Sequence, residues 1–166
     1  MTDRPPRRAL DERAARLAAV DLLSRRAWTR RDLIARLRRR GAPPDVAVAV
    51  VDDLAARGYV DDAAFARHWV ESRSARGYGA SRLRAELRMR GVAAPLIDAA
   101  LGAVESDAAL AAARKVATRR LPALRRGRPE RVAPRLHAYL VRRGYAPGVV
   151  ARVVRSLTRA TVAADD

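Results

Sequence analysis

The feature that most constrains the fold is an internal repeat: three stretches of the chain align with one another without gaps. Each begins with two leucines four residues apart, and a glycine follows four residues after the second leucine. Leucines at this spacing lie on one face of a helix, and the glycine predicts the helix end because it enters the left-handed C-cap conformation without strain. Three copies of one helical unit are therefore expected. The copies are residues 33–54, 83–104 and 136–157.

Apolar residues at helical spacing predict a further helix after each glycine and another before each leucine pair. A proline follows every glycine and favours the start of the later helix. The earlier helices are predicted over 12–26, 62–76 and 107–121, so the repeating unit has three helices. We expect that no unit buries its apolar faces alone and that neighbouring units stack. The predicted apolar positions are Leu17, Val20, Leu23, Phe65, Trp69, Val70, Leu110, Ala113, Ala117 and Leu121 in the earlier helices, and Val46, Val50, Val51, Leu54, Leu96, Ile97, Ala100, Leu101, Val104, Val149, Val150, Val153, Val154 and Leu157 in the later ones.

The composition supports an all-α fold, an array of three tandem three-helix repeats. Alanine, leucine and arginine are good helix formers, and 1 Phe, 2 Trp and 4 Tyr leave little material for a β-sandwich. Trp28 and Tyr78 each precede a leucine pair and are interpreted as core residues at a loop. The third copy has no aromatic residue there and contains an irregular basic loop, 125–131. The predicted boundaries are a disordered tail over 1–10, repeats over 11–60, 61–106 and 107–160, and a disordered tail over 161–166.

The chain carries a large excess of positive charge, with 35 basic and 18 acidic residues and a net charge of +17. Self-repulsion at such an excess opposes compaction, so we expect a polyanionic partner, which is nucleic acid or an assembly that contains it. The excess is greatest at the two ends: the net charge is +6 over 1–60, +1 over 61–106 and +10 over 107–166. The middle segment is therefore expected to be scaffold or to meet protein.

The residue patterns of common enzymes and metal sites are missing from the sequence. It has no Gly-rich phosphate loop ending in Lys-Ser/Thr, no Ser-His-Asp arrangement and no paired carboxylates. It has no cysteine, and His68 and His137 stand without a ligand cluster, so we expect no metal, no cofactor and no enzyme activity. No apolar run approaches the ~20 residues of a membrane span, and the first residues lack the apolar core of a signal peptide. A monomeric cytoplasmic protein is predicted.

Two segments of the chain resemble the signature of the RecX family. The first is Gly58-Tyr59-Val60-Asp61-Asp62-Ala63-Ala64-Phe65-Ala66. The second is Arg76-Gly77-Tyr78-Gly79 with the leucine pair and glycine that follow it. Order, spacing and residue type agree together, most closely over 32–101, and the resemblance weakens in the third copy. The signature positions are Gly58, Tyr59, Asp61, Asp62, Phe65, Ala66, Gly77, Gly79, Leu83, Leu87 and Gly91.

The resemblance implies a curved array of three-helix repeats that has no catalytic residues. Such proteins bind the RecA filament, lie in its helical groove and restrain its ATPase, strand-exchange and co-protease activities in DNA repair, recombination and the SOS response. The implied partners are the RecA filament and single-stranded DNA. Contact with double-stranded DNA, direct contact with any DNA and capping of filament ends are left open. The candidate contact residues are Arg38, Arg39, Arg40, Arg73, Arg76, Arg82, Arg88, Arg90, Arg125, Arg126, Arg128, Arg142 and Arg143.

Two polar motifs in the signature have structural interpretations of their own. Asp61 is predicted to cap the helix over 62–76, and Asp62 is favoured there by the helix dipole. Gly77-Tyr78-Gly79 lacks the third glycine and the preceding strand of a dinucleotide loop, so it is interpreted as a turn between helices.

Two other functions remain open at this stage. One is a stand-alone basic DNA-binding protein of helix-turn-helix or nucleoid type, which the helix-Gly-helix units favour. Binding through phosphates alone would fall steeply with salt and would need no RecA. The other is an interaction module for a different partner, in which the charge serves solubility and DNA binding is weak even at low salt.

Overall fold

The computed structural model describes residues 9–102 and 106–162. These residues form nine α-helices and one short 3-10 helix, with no strand among them. The all-α array of tandem three-helix repeats is therefore confirmed. The helices are α1 (Glu12–Arg25), α2 (Arg30–Arg39), α3 (Pro44–Ala56), α4 (Asp62–Ala75), α5 (Ala80–Met89), α6 (Ala94–Gly102), α7 (Ser106–Arg125), α8 (Val132–Arg142) and α9 (Pro147–Val162), and the 3-10 helix is Pro129–Arg131.

Glycines end the second helix of every repeat, as the sequence predicts. Gly41, Gly91 and Gly144 have φ angles of 102°, 78° and 87°, a backbone conformation that other residues adopt only with strain. In each case the next residue turns back, and its N–H donates to the carbonyl oxygen of the second leucine of the pair; for Ala42 and Leu37 the distance is 3.1 Å. The chain therefore reverses at the same point in each repeat.

Each repeat has a hydrophobic core of its own, and this corrects the expectation that neighbouring units must stack. The leucine pairs of the second helices are fully buried at the centre of these cores. Three helices suffice to enclose them, because two short helices pack on the apolar face of the third. The three buried clusters lie within residues 15–60, 65–101 and 113–153, and no residue belongs to two of them.

Helix α1 buries a different face from the one predicted. Leu17 and Val20 are 65% and 51% exposed, whereas Ala15, Ala19 and Leu22 form the buried stripe. Leucine and valine suggested the inward face because they are the larger apolar residues. The structure instead turns alanines inward, because their small side chains let the backbone of α1 approach its neighbours closely.

Most of the other predicted core positions are confirmed. Leu96 and Val149 are only partly buried, and the adjoining Ile97 and Val150 take the innermost places. Trp28 and Tyr78 pack against the cores of the first and second repeats. Val104 lies outside the described residues.

The third repeat starts with a longer helix than the sequence predicts. Helix α7 continues past Pro122 to Arg125 because Leu124 extends its buried stripe by another turn. The predicted basic loop shrinks accordingly to a short connection around the 3-10 helix.

The predicted tails fall largely outside the described residues. Leu10 is described, and its N–H donates to the carbonyl oxygen of Gly41 at 3.0 Å. At the other end, α9 runs to Val162.

Separate cores lead to a prediction about local unfolding. Leu37→Ala removes a fully buried side chain from the first repeat and should cost about 2–5 kcal/mol there. Amide hydrogen exchange followed by mass spectrometry should show faster exchange in α1, α2 and α3, with little change in α7, α8 and α9. Leu140→Ala is the matched variant, and it should give the reverse pattern. Equal acceleration along the whole chain in both variants would show that the array unfolds as one unit.

Candidate interaction surface

The arginine just before each helix-ending glycine has a special place in the array. In the third repeat the guanidinium of Arg143 reaches into the second repeat and donates to the carbonyl oxygens of Arg76 and Gly77 at 2.9 and 3.4 Å. In the second repeat Arg90 reaches into the first and donates to Asp32 at 2.8 Å. These residues join neighbouring repeats.

The first repeat has no preceding repeat, and the same position is used differently there. Arg40 stays within its own repeat, where it forms an ion pair with Asp21 at 3.6 Å. The backbone turn beside Arg40 receives the N–H of Leu10. The chain before α1 therefore covers the end of the array that a preceding repeat would otherwise occupy.

Backbone groups complete the joint between the second and third repeats. The N–H groups of Gly79 and Ser81, at the start of α5, donate to the carbonyl oxygens of Arg143 and Gly144 at 2.7 and 3.1 Å. The start of α5 thus meets the end of α8, so the positive end of one helix dipole faces the negative end of another. Helix ends that would need water or side-chain caps are satisfied by the neighbouring repeat.

The joint between the first and second repeats follows the same plan with different groups. The hydroxyl of Thr29, which is fully buried, donates to the carbonyl oxygen of Arg90 at 2.8 Å and accepts from the N–H of Asp32. The N–H of Arg30 donates to the carboxylate of Asp62 at 2.8 Å. The start of α2 therefore meets the end of α5.

Close approach at these joints explains two glycines of the signature. A Cβ at Gly79 would overlap the carbonyl group of Gly144, and a Cβ at Gly91 would overlap the side chain of Arg31. At Gly79 the backbone is extended, with φ of −89°, so space and not conformation requires glycine there.

Arginines and aromatic rings alternate across the joint between the second and third repeats. The guanidinium of Arg73 lies 5.2 Å from the ring centre of Trp69 and 4.5 Å from that of Tyr78. Arg143 lies between Tyr78 and Tyr139, at 4.9 and 5.2 Å from their ring centres. Each contact is a cation–π attraction. We call this set the arginine–aromatic ladder; its members are Trp69, Arg73, Tyr78, Arg82, Arg90, Arg120, Tyr139 and Arg143.

Glu86 is the carboxylate that organises the ladder. It accepts from Arg73 at 2.6 Å, from Arg82 at 3.0 Å and from the indole N–H of Trp69 at 3.0 Å. Burial alone would raise the pKa of Glu86, but these hydrogen bonds outweigh it and hold the pKa below its ordinary value. The hydrogen bond to Glu86 likewise raises the pKa of Arg73.

The candidate contact arginines therefore fall into two groups. One group is held in the ladder and the joints, and its side chains bind other parts of the chain: Arg73, Arg82, Arg90 and Arg143. Arg40 pairs within the first repeat. The other group is exposed at the ends of helices and near the 3-10 helix: Arg38, Arg39, Arg76, Arg88, Arg125, Arg126, Arg128 and Arg142.

The signature residues are mainly structural. Asp61 caps α4, because its carboxylate accepts the N–H groups of Ala63 and Ala64 at 2.8 and 2.9 Å, as predicted. Asp62 bonds to the first repeat, which the sequence did not indicate. Gly77-Tyr78-Gly79 is the predicted turn between α4 and α5. Tyr59 alone among the large signature residues is strongly exposed, at 67%.

Several partners in this surface were missed at the sequence level. Glu86 follows Arg82 by four residues on one helix, so that pair could have been found from spacing. The pairs Arg73–Glu86 and Arg90–Asp32 join different helices, and no local pattern marks them. Arg120 and Tyr139 were likewise not singled out.

Within residues 9–102 and 106–162, no group of acidic or histidine side chains is arranged to hold a metal ion. Among the same residues, no helix is both long and apolar enough to cross a membrane.

Comparisons with known proteins agree with this architecture. Residues 15–54 match the family described as RecX, first three-helix domain, and residues 61–101 match RecX, second three-helix domain. A protein of Thermobifida fusca named Regulatory protein RecX is 44% identical over 143 residues, which are 85% of this chain and 77% of that protein. A protein of the same name from Mycobacterium tuberculosis strain H37Rv is 39% identical over 155 residues, covering 90% and 89% of the two chains.

Solved structures show the same fold at lower sequence identity. A crystal structure of RecX from Lactobacillus salivarius has a TM-score of 0.78 at 15% identity, over 88% of this chain and 96% of the other. A structure described as regulatory protein RecX has a TM-score of 0.81 at 22% identity, over 86% and 72%.

The ionisation of Glu86 leads to a prediction about pH. A carboxylate whose pKa is depressed by folding stabilises the protein above its unfolded pKa, and this contribution is lost as the pH falls through the folded pKa. Glu86→Gln should therefore lower the free energy of unfolding by about 1.5–3 kcal/mol at pH 7, the range for hydrogen bonds to a charged group. The difference should shrink below about pH 4.5. Urea unfolding at pH 7 and pH 3.5, followed by tryptophan fluorescence, measures both; a difference that does not depend on pH would contradict the assignment.

The close approach at the second joint leads to another prediction. Gly79→Ala should force the start of α5 away from the end of α8, so the amide of Ser81 should exchange its hydrogen faster. The overall stability should fall by about 1–3 kcal/mol, as for other overpacked sites. Gly148→Ala is the control, because a Cβ there meets nothing within 4 Å. Equal effects of the two substitutions would mean that the approach is not tight.

Proposed function

This chain belongs to the RecX family of regulatory proteins, and on that premise we propose that it binds the RecA–DNA filament and restrains it without chemistry of its own. The restrained activities would be the ATPase, strand exchange and co-protease activities of RecA. In this proposal the protein acts in the cytoplasm as a monomer without a cofactor, and its three repeats (11–60, 61–106 and 107–160) contact the filament together.

The observation that carries the proposal is the placement of exposed arginines at the same point of successive repeats. Arg38 and Arg88 follow the second leucine of their pairs by one residue, 50 residues apart in the sequence, and both side chains are exposed. Arg142 is exposed near the corresponding helix end of the third repeat. A series of positive charges along a tandem array suits a partner that is itself long and negatively charged.

The arrangement of charge argues against a helix-turn-helix protein that reads DNA bases. In that mode a recognition helix enters the major groove, and the third helix of each repeat would have to take this part. Helix α3 has three aspartates and no basic residue, and α6 has one aspartate and no basic residue. Phosphates would repel these two helices. The starts of α2 and α5 are covered by the neighbouring repeats, so they are also poor candidates for insertion into a groove.

The test is a titration of RecA-dependent ATP hydrolysis on single-stranded DNA. The wild-type protein should inhibit at well below one molecule per RecA monomer. Arg38→Glu combined with Arg88→Glu should raise the half-inhibitory concentration about tenfold or more at low salt, because two attractive contacts become repulsive. The matched control is Arg67→Glu combined with Arg114→Glu, which changes the net charge equally on exposed positions of α4 and α7.

The outcomes separate three situations. No inhibition by the wild-type protein beyond what DNA sequestration explains would overturn the proposed function. Equal losses in the two double variants would show that total charge matters and that the helix-end positions do not. A loss confined to the first variant supports contact through the ends of α2 and α5.

A further inference from the structure

The first repeat exposes large apolar side chains that neither its core nor its joint uses. Leu17 and Val20 lie one turn apart on the outer face of α1, and Tyr59 follows α3; all three are more than half exposed. The core of this repeat is closed without them, and the joint to the second repeat is formed by Thr29, Arg30 and other polar groups. Exposed apolar groups that cluster commonly mark a site of interaction.

These side chains border a groove between α1 and the end of α3. The groove has a volume of about 660 Å³, and its apolar lining comes from Val20, Leu23, Ala27, Leu54 and Tyr59. Leu17 extends the same apolar face of α1 by a further turn, because residues three apart on a helix are neighbours. The groove is wide enough for an apolar side chain of a partner.

Positive charge borders the groove. Arg16 and Arg57 line it, and no acidic residue does. Both arginines bond to the carboxylate of Asp53; for Arg57 the distance is 3.0 Å. One carboxylate thus holds two guanidinium groups, which fixes their positions and leaves an excess of positive charge. A partner segment with carboxylates beside its apolar side chain would be attracted here, and a basic segment would be repelled.

The corresponding site is not apolar in the second repeat. Fifty residues after Leu17 the chain has Arg67, which is also exposed on the first helix of its repeat. The repeat architecture therefore tolerates arginine at this position and does not require leucine. An apolar residue there is a property of the first repeat alone among these two, which points to a role outside folding.

We propose that this groove is the site where the first repeat docks onto RecA, by taking up an apolar side chain that carboxylates flank on the RecA surface. The inference rests on the proposed function, because it assumes the filament as partner. It divides the contact into two parts. The exposed helix-end arginines supply long-range attraction that salt weakens, and the groove supplies a short-range apolar contact that salt does not weaken.

The test is binding of the full-length chain to RecA filaments on oligo(dT) with a slowly hydrolysed ATP analogue, measured by co-sedimentation at low and moderate salt. Leu17→Arg gives the first repeat the residue that the second repeat has, so it should fold. It should weaken binding about tenfold at both salt concentrations, although it adds a positive charge. Tyr59→Ser, at the other side of the groove, should have a similar effect.

The matched control is Met89→Arg, which also replaces an exposed aliphatic side chain, 76% exposed on α5, by arginine. It should bind as the wild type does or slightly more tightly. Thermal unfolding followed by circular dichroism verifies that all three variants are folded.

Each outcome decides a different point. If the wild-type protein does not bind filaments, the proposed function fails and the groove inference fails with it. If the wild-type protein binds and the folded Leu17→Arg and Tyr59→Ser variants bind equally well, the groove is not the docking site and the proposed function stands. If Met89→Arg loses as much binding as Leu17→Arg, an added arginine disturbs binding wherever it lies, and the groove inference is also overturned.

Discussion

The architecture depends on one backbone turn, the Arg-Gly step that ends the second helix in each repeat. The positive φ of the glycine lets the chain turn back over the leucine pair, so it closes the core of its own repeat. The same turn presents carbonyl oxygens and the preceding arginine side chain to the repeat before it. Folding of one unit and attachment to the next are thus accomplished by the same few atoms, and this explains why the helix-Gly pattern recurs so regularly in the sequence.

The all-α fold and the helix ends were predictable because they follow from local chemistry. Leucine spacing, glycine at the C-cap, proline in the first turn and Asp61 as an N-cap each act within a few residues. The register of α1 was not predictable from the size of its apolar residues, because Ala15 and Ala19 face inward for reasons of helix separation. The independence of the three cores was also not evident, since a repeated pattern does not state whether its units share apolar surface.

The candidate contact residues show the same division between local and distant information. Sequence clusters of arginine indicated a basic surface, but they did not separate Arg88, which is exposed, from Arg90, which bonds to Asp32 in another repeat. Two residues apart on one helix end, these side chains face different surroundings. The strong positive charge therefore serves two purposes: part of it ties the repeats together through carboxylates, carbonyl groups and aromatic rings, and the exposed part is available for a polyanionic assembly.

The separation of the cores has a mechanical consequence. Turning one repeat relative to the next would strain hydrogen bonds, ion pairs and cation–π contacts at a joint, but it would expose little apolar surface, so the hydrophobic effect offers small resistance to bending. Polar contacts of this kind can be exchanged for contacts with water at modest net cost. Each unit is stiff inside and the connections are compliant, so the array can adjust its curvature to a helical support whose pitch changes while every repeat keeps its own shape.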